Sequence, residues 1–157
     1  MALNTGKKAP DFTAKDEEGN DIKLTTYKGK WIVLYFYPKD NTSGCTKEAC
    51  DFRDNMARIT KTGAAVLGVS PDSVKSHSGF KLKFELNFTL ISDTDKTICN
   101  KYDVMGEKSL YGRKYIGVIR TTYIIDDKGI IRYVDPKVSV EGHVDDIINK
   151  LKELKSK

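Results

Sequence analysis

The chain has 157 residues, of which 39% are hydrophobic and 31% are charged, a composition typical of one soluble domain with a substantial core. The formal charge of +5 is scattered along the chain, without a basic stripe interleaved with aromatic residues, and therefore predicts no nucleic-acid binding. No apolar run approaches the roughly 20 residues that span a bilayer, and residues 1–8 lack the apolar centre of a signal peptide, so we expect a cytoplasmic protein without membrane contact.

The first predicted elements are a hairpin and a central strand. Residues 11–14 and 21–24 flank a turn-prone stretch, which predicts an N-terminal β-hairpin. Residues 31–37 form an unbroken apolar run with β-branched and aromatic members, typical of a strand that is covered on both faces. Turn-forming residues 38–44 follow and connect this strand to a helix.

That helix carries two of the three cysteines. Its apolar stripe, spaced four, three, four and three residues apart, consists of Cys45, Ala49, Phe52, Met56 and Ile59, with Cys50 on its flank. A cysteine at a helix N-terminus meets unpaired backbone N–H groups and the positive end of the helix dipole, and both favour the thiolate. Cys45 is therefore a candidate nucleophile, and the alternative is a small buried hydrophobic residue.

An odd number of cysteines argues against a framework of structural disulfides and favours thiol chemistry or buried thiols. Five helical positions separate the Cα atoms of Cys45 and Cys50 by roughly 8.6 Å, beyond the ~7 Å that a disulfide tolerates. If the two cysteines pair, the first turns of the helix must therefore unwind.

The middle of the chain predicts further alternation of strands and helices. A buried strand over residues 64–69 would pair in parallel with the central strand. Residues 70–72 predict the start of a helix that carries His77 as a partly buried, hydrogen-bonded residue. A short strand over residues 87–91 precedes another helix, in which Cys99 lies on the packing face as a core thiol.

The last third of the chain predicts a connection, a hairpin and a helix. Residues 105–117 have no clean period and are expected to form a long connection. Residues 121–125 and 130–134 flank a strong turn and predict a β-hairpin, and an apolar stripe over residues 144–154 predicts a helix against the sheet. Parallel and antiparallel strands with helices on both sides define a three-layer α/β/α domain that includes the whole chain.

Several segments resemble the peroxiredoxins. The pattern Pro-x-x-x-Thr-x-x-Cys over residues 38–45 matches their active-site motif, and GCTKEACDFRD over residues 44–54 is similar to the bacterioferritin-comigratory-protein, or peroxiredoxin Q, branch. Residues 69–73, 106–108 and 120–122 also look like family segments, so the resemblance covers nearly the whole chain. It implies a thioredoxin-like fold with a mixed central sheet and an N-terminal β-hairpin.

The resemblance also implies an activity. Such an enzyme reduces hydrogen peroxide and organic hydroperoxides with electrons from thioredoxin or a similar dithiol reductant, without a cofactor or a metal, as a monomer or a weak dimer. The role of the peroxidatic nucleophile falls on Cys45. In this branch a cysteine five residues later often resolves the sulfenic acid as an intramolecular disulfide, a role that falls on Cys50.

Four further side chains would complete the site by resemblance. Thr42 would offer its hydroxyl to the thiolate and the peroxide, and Pro38 would shield the thiolate from water. Arg120 would lie against the sulfur and stabilise developing charge, and Glu48 would orient that arginine. Taken singly, these residues also have plainer explanations, as a helix cap, a turn former, a surface charge and a partner of the helix dipole.

Three other interpretations remain open from the sequence. A general thiol-disulfide oxidoreductase would have Cys-x-x-Cys, whereas this chain has Cys-x4-Cys. A structural zinc module could use Cys45, Cys50, Cys99 and either His77 or His143, although paired close ligands of the usual zinc spacing are absent from the sequence. A chaperone or a redox-signalling partner without turnover is the third.

Overall fold

The structure, a computed structural model, describes residues 2–156. Its strands are β1 (Thr13–Asp16), β2 (Asp21–Lys23), β3 (Trp31–Phe36), β4 (Ala64–Ser70), β5 (Thr89–Ser92), β6 (Met105–Leu110), β7 (Arg113–Val118), β8 (Thr121–Ile125) and β9 (Ile131–Asp135). Its helices are α1 (Ser43–Asp54), α2 (Met56–Lys61), α3 (Val74–Phe84), α4 (Thr97–Lys101) and α5 (His143–Lys155), with a short 3-10 helix at Leu24–Tyr27.

A seven-stranded sheet in the order β2-β1-β5-β4-β3-β8-β9 forms the middle of the molecule. Strand β3 pairs in parallel with β4 and antiparallel with β8, and all six of its residues are buried. The prediction of a central strand is therefore confirmed. The N-terminal hairpin is confirmed as β1 and β2, which join the same sheet through β5.

The core lies on both faces of this sheet. Alternate residues of β3 contribute to two hydrophobic clusters, with Val33 and Tyr35 in one and Leu34 and Phe36 in the other. Helices α1, α2, α3 and α5 contribute to the first cluster, and α4 to the second. This arrangement confirms the predicted three-layer fold with a mixed sheet. Within residues 2–156, no helix is long and apolar enough to cross a membrane.

Two helix boundaries differ from the sequence-based predictions. The stripe after Cys45 is divided between α1 and α2, because Asn55 leaves helical geometry and its side-chain amide donates to the carbonyl of Asp51 at 2.8 Å. Helix α3 begins after Ser73, whose hydroxyl accepts from the backbone N–H of Ser76 at 3.1 Å, and not at residues 70–72. Ser70 instead completes β4.

The predicted long connection over residues 105–117 is wrong, because β6 and β7 form a separate two-stranded hairpin there. Tyr111 and Gly112 form its two-residue turn with φ of 49° and 77°, values that match the type I′ turn favoured in tight hairpins. Most of the hairpin residues are exposed or half-buried on both faces. The alternation that identifies a half-buried strand is therefore missing from its sequence.

Candidate active site

The site lies where β3 ends and β8 begins. The two strands are antiparallel and place Phe36 opposite Thr121, so the loop after β3 and the residue before β8 reach the same edge of the sheet. That loop leads into α1, and the residue before β8 is Arg120. Strand register thus brings together two segments that lie far apart in the sequence.

Cys45 is the third residue of α1 and is only 1% exposed. Thr42 is the N-cap, and its carbonyl accepts the backbone N–H of Thr46 at 2.8 Å. The backbone N–H groups of the first helical turn have no partners within the helix, which makes this end of α1 favourable for an anion. The structure therefore agrees with the prediction that Cys45 lies at a helix start.

Arg120 connects the sulfur to a buried carboxylate. Its Nη2 donates to the Sγ of Cys45 at 3.3 Å, and its Nη1 donates to the Oε1 of Glu48 at 2.6 Å. Glu48 is fully buried one helical turn after Cys45, so both acceptors project from the same side of α1. The backbone carbonyl of Arg120 accepts the N–H of Val138 at 2.9 Å, which holds the arginine in place. The structure thus brings Arg120 and Glu48 together beside Cys45.

Burial and neighbouring charges act in opposite directions on Glu48 and Arg120. Burial raises the pKa of Glu48 from 4.5 to about 7, although the charge and the hydrogen bond of Arg120 act in the opposite direction. Burial alone would lower the pKa of Arg120, but the charges of Glu48 and Cys45 outweigh it and raise that pKa. Arg120 therefore stays cationic, while Glu48 is partly protonated near neutral pH.

Thr42 and Pro38 lie in the loop before α1. The hydroxyl of Thr42 donates to the carbonyl of Lys39 at 2.9 Å, so its hydrogen is not directed at Cys45. The hydroxyl oxygen can still accept a hydrogen bond from an approaching peroxide. Pro38 is half-buried and lies two residues after the end of β3.

Cys50 lies on the same helix as Cys45. It is a free, partly exposed thiol, and both cysteines belong to the continuous helix α1. Helical geometry keeps their Cα atoms roughly 8.6 Å apart, too far for a disulfide. The structure therefore shows the state in which the two thiols are separate.

Comparisons with known proteins identify the family. Residues 5–134 match the AhpC/TSA family. The chain belongs to this family. It is 52% identical to a peroxiredoxin of the Bcp type from Coxiella burnetii, over 96% of this chain and 100% of the other, and 43% identical to peroxiredoxin Bcp of Bacillus subtilis over the full length of both.

Solved structures support the same assignment. A cysteine-to-serine variant of the Xylella fastidiosa peroxiredoxin Q aligns with a TM-score of 0.93 and 36% identity, covering 99% of both chains. The bacterioferritin comigratory protein of Xanthomonas campestris aligns with a TM-score of 0.89 and 38% identity, covering 96% of this chain and 98% of the other. The chain is thus a peroxiredoxin of the Bcp, or Q, branch and a thiol-dependent peroxidase, and its thioredoxin-like fold is confirmed.

This peroxiredoxin also has a buried polar network beside the loop, which the sequence did not reveal. Asp40 is buried and its Oδ2 lies 2.7 Å from the Nδ1 of His77, while its Oδ1 accepts the hydroxyl hydrogen of Tyr37 at 2.7 Å. The Nε2 of His77 lies 2.9 Å from the carbonyl of Ile91. His77 is thus hydrogen-bonded, as predicted, but it is fully buried and not partly buried. Asp40 was missed because an aspartate in a turn-rich stretch is ordinarily a capping residue.

The third cysteine lies away from the site. Cys99 belongs to the cluster on the opposite face of the sheet from Cys45, and burial, followed by the neighbouring Asp93, raises the pKa of its thiol. In the described part of the chain, no group of three or more potential metal ligands includes a cysteine. The zinc interpretation is therefore wrong for these residues, because the fold separates its proposed ligands.

Proposed function

We propose that this peroxiredoxin reduces hydrogen peroxide and organic hydroperoxides through Cys45. The observation that carries the proposal is the buried sulfur at the start of α1, in contact with the guanidinium of Arg120 at 3.3 Å. The thiolate attacks one peroxide oxygen, the O–O bond breaks, and the sulfur keeps the attacked oxygen as a sulfenic acid. The other oxygen leaves as hydroxide or alkoxide and takes a proton from water. Sulfur is oxidised by two electrons and the peroxide is reduced by two.

Arg120 stabilises the charge that moves from sulfur to oxygen in this step. A cation already aimed at the reacting atoms does not have to reorganise during the reaction, and such preorganisation contributes strongly to catalysis. Glu48 acts as a positioning residue, since it holds one arm of the guanidinium at 2.6 Å while the other arm reaches the sulfur. The hydroxyl oxygen of Thr42 accepts a hydrogen bond from the peroxide. Pro38 limits the access of water to the thiolate.

We further propose that Cys50 resolves the sulfenic acid. Its thiolate attacks the sulfur of Cys45 and displaces the oxygen, which leaves as water after protonation, and an intramolecular disulfide forms. The first turns of α1 must unwind for this step. A dithiol protein such as thioredoxin then reduces the disulfide. The bacterioferritin comigratory protein of Xanthomonas campestris has alkyl peroxide reduction activity, which favours organic hydroperoxides as substrates here.

Cys45, Glu48 and Arg120 contact one another within a single chain, so the proposed chemistry needs no residue from a second copy, and we propose that the enzyme acts as a monomer. A peroxidase whose thiols must be reduced again after each turnover suits a reducing compartment, so we propose that the enzyme works in the cytoplasm.

A coupled assay tests this proposal. Peroxide, thioredoxin, thioredoxin reductase and NADPH are mixed with the enzyme, and NADPH loss is followed; dithiothreitol serves as a second reductant. Cys45→Ser should abolish turnover, because a serine hydroxyl is not appreciably ionised. Cys99→Ala, which removes the thiol on the opposite face of the sheet, is the matched control and should retain turnover. Absence of peroxide-dependent turnover with both reductants would refute the proposal.

A further inference from the structure

The hairpin β6–β7 exposes an unusual amount of apolar surface. Among residues 2–156, the large hydrophobic side chains that are exposed are Leu82, Leu110, Tyr111, Tyr115 and Ile116, and all except Leu82 belong to this hairpin. Tyr111 at the turn is 97% exposed. A clustered apolar surface on a projecting element is typical of a site that contacts another molecule.

The two faces of this hairpin differ in charge. Strand register places Lys108 opposite Tyr115 and Leu110 opposite Arg113, and alternation directs these four side chains to one face. A Cβ added at Gly117 would lie 3.1 Å from both Lys108 and Tyr115, which confirms that these two side chains share a face. We call these four residues the basic face, since it combines two cations with two apolar groups and no acid.

The opposite face has a different character. Glu107 and Lys114 form an ion pair there at 3.4 Å, so their charges compensate one another. Ile116, which is 63% exposed, lies on the same side. The opposite face is therefore apolar without an uncompensated charge, and it offers residue-for-residue controls for the basic face.

One end of the basic face lies near the segment that carries Arg120. Lys108 donates from its Nζ to the carbonyl of Val118 at 3.0 Å, two residues before Arg120. Burial lowers the pKa of Lys108, the charge of Arg120 lowers it further, and Cys45 acts in the opposite direction. The hydrogen bond to Val118 places the ammonium group of Lys108 against the backbone two residues before Arg120, so the basic face runs from there to the turn of the hairpin.

We propose that the basic face is the docking surface for the dithiol protein that reduces the Cys45–Cys50 disulfide. This inference rests on the proposed function. In that reduction a thiolate of the partner attacks one sulfur and forms a mixed disulfide, and its second thiol then releases the enzyme, with two electrons and two protons transferred in total. The partner must bring its thiols close to Cys45, and the basic face begins at Lys108, whose ammonium group lies against the strand that leads to Arg120 and so to the sulfur.

The chemistry of the face indicates the character of the partner. Aromatic residues and arginine are enriched at the centres of protein interfaces, and opposite charge accelerates encounter. A partner with an acidic, partly apolar surface around its reactive cysteine fits Tyr115, Leu110, Arg113 and Lys108. A second copy of this chain fits poorly, because a symmetric contact would oppose the same cations and each chain carries a formal charge of +5.

Two matched pairs of variants test the docking surface. Arg113→Glu and Lys114→Glu make the same change of charge at adjacent residues on opposite faces. Leu110→Ser and Ile116→Ser remove exposed apolar side chains from opposite faces. The KM for an acidic thioredoxin is measured with saturating peroxide, each rate is expressed relative to that of the same variant with dithiothreitol, and circular dichroism verifies folding.

We expect Arg113→Glu and Leu110→Ser each to raise the KM for thioredoxin by roughly five-fold, the effect of a contact contributing about 1 kcal/mol. The control variants should change it by less than about two-fold. The effect of Arg113→Glu should shrink as the salt concentration rises from about 0.05 M to about 0.5 M, because screening weakens exposed charges, whereas that of Leu110→Ser should persist.

Several results would overturn the inference. Equal effects on the two faces, or no effect on either, would show that the basic face does not bind the reductant. A changed KM for peroxide with an unchanged KM for thioredoxin would assign the face to substrate. A change of oligomeric state in the Arg113→Glu variant, measured by light scattering, would assign it to self-association. Turnover of the unsubstituted enzyme with dithiothreitol but not with thioredoxin would overturn the docking surface and leave the peroxidase activity in place.

Discussion

Glu48 is a carboxyl group that folding removes from water. It is fully buried, and while its Oε1 accepts from Arg120, its Oε2 has no hydrogen-bond partner within residues 2–156. Burial raises its pKa from 4.5 to about 7, so the folded protein retains a proton at pH values where the unfolded chain has lost it. The stability from this group is therefore fully present below about pH 4.5 and is lost as the pH rises through about 7.

Glu48→Gln isolates this effect, because the amide has nearly the same shape as the carboxyl and does not titrate. The difference between a pKa of about 7 and one of 4.5, at about 1.4 kcal/mol per pH unit, amounts to roughly 3 kcal/mol of unfolding free energy. Near pH 4.5 this effect should contribute little to the difference in unfolding free energy between the variant and the parent protein. At pH 8.5 the variant should have gained roughly 3 kcal/mol relative to the parent protein.

Urea unfolding between pH 4.5 and pH 8.5, under reducing conditions, measures this difference because other titrating groups cancel between the two proteins. Glu107→Gln is the control, since that carboxyl is 61% exposed and its difference from the parent should vary little with pH. A Glu48→Gln difference that stays constant across the range would refute this account of the buried carboxyl. The gain in stability should be accompanied by slower peroxide reduction, because Arg120 loses its anionic partner.

Further predictions concern the resolving thiol, the two redox states and the glycine beside Arg120. Cys50→Ser should allow the first oxidation and slow recycling, with sulfenic acid found on Cys45 by mass spectrometry after one equivalent of peroxide; unaltered recycling would exclude Cys50 as the main resolving thiol. Formation of the disulfide should reduce hydrogen-exchange protection in the first turns of α1, and equal protection in both redox states would contradict unwinding. Gly44→Ala should lower kcat/KM about ten-fold without destabilising the fold, because its Cβ would lie 3.2 Å from the guanidinium of Arg120 and displace it. Gly79→Ala in α3, where a Cβ meets nothing within 4 Å, should leave kcat/KM unchanged.

Local patterns in the sequence were sufficient for the elements with a strong periodic signal. The apolar run over residues 31–37 predicted β3 because a strand covered on both faces needs apolar residues at every position. The helical stripe placed Cys45 at the start of α1 because its spacing depends only on helix geometry. Side chains that form hydrogen bonds with the backbone leave a weaker signal in the sequence than an apolar stripe does. Asn55 therefore ended α1 at a position where the stripe predicted a continuous helix.

The sequence by itself thus determined the order of the main elements, the helical environment of Cys45 and the separation of the two cysteines along one helix. Tertiary structure decided which residues that are far apart in the sequence come into contact. Arg120 lies 75 residues after Cys45 and reaches it because β8 pairs with β3 in one register, while Asp40 meets His77 because α3 packs beside the loop. Such contacts depend on strand pairing and packing, which no local pattern encodes, and a hairpin exposed on both faces lacks even the periodicity that burial imposes.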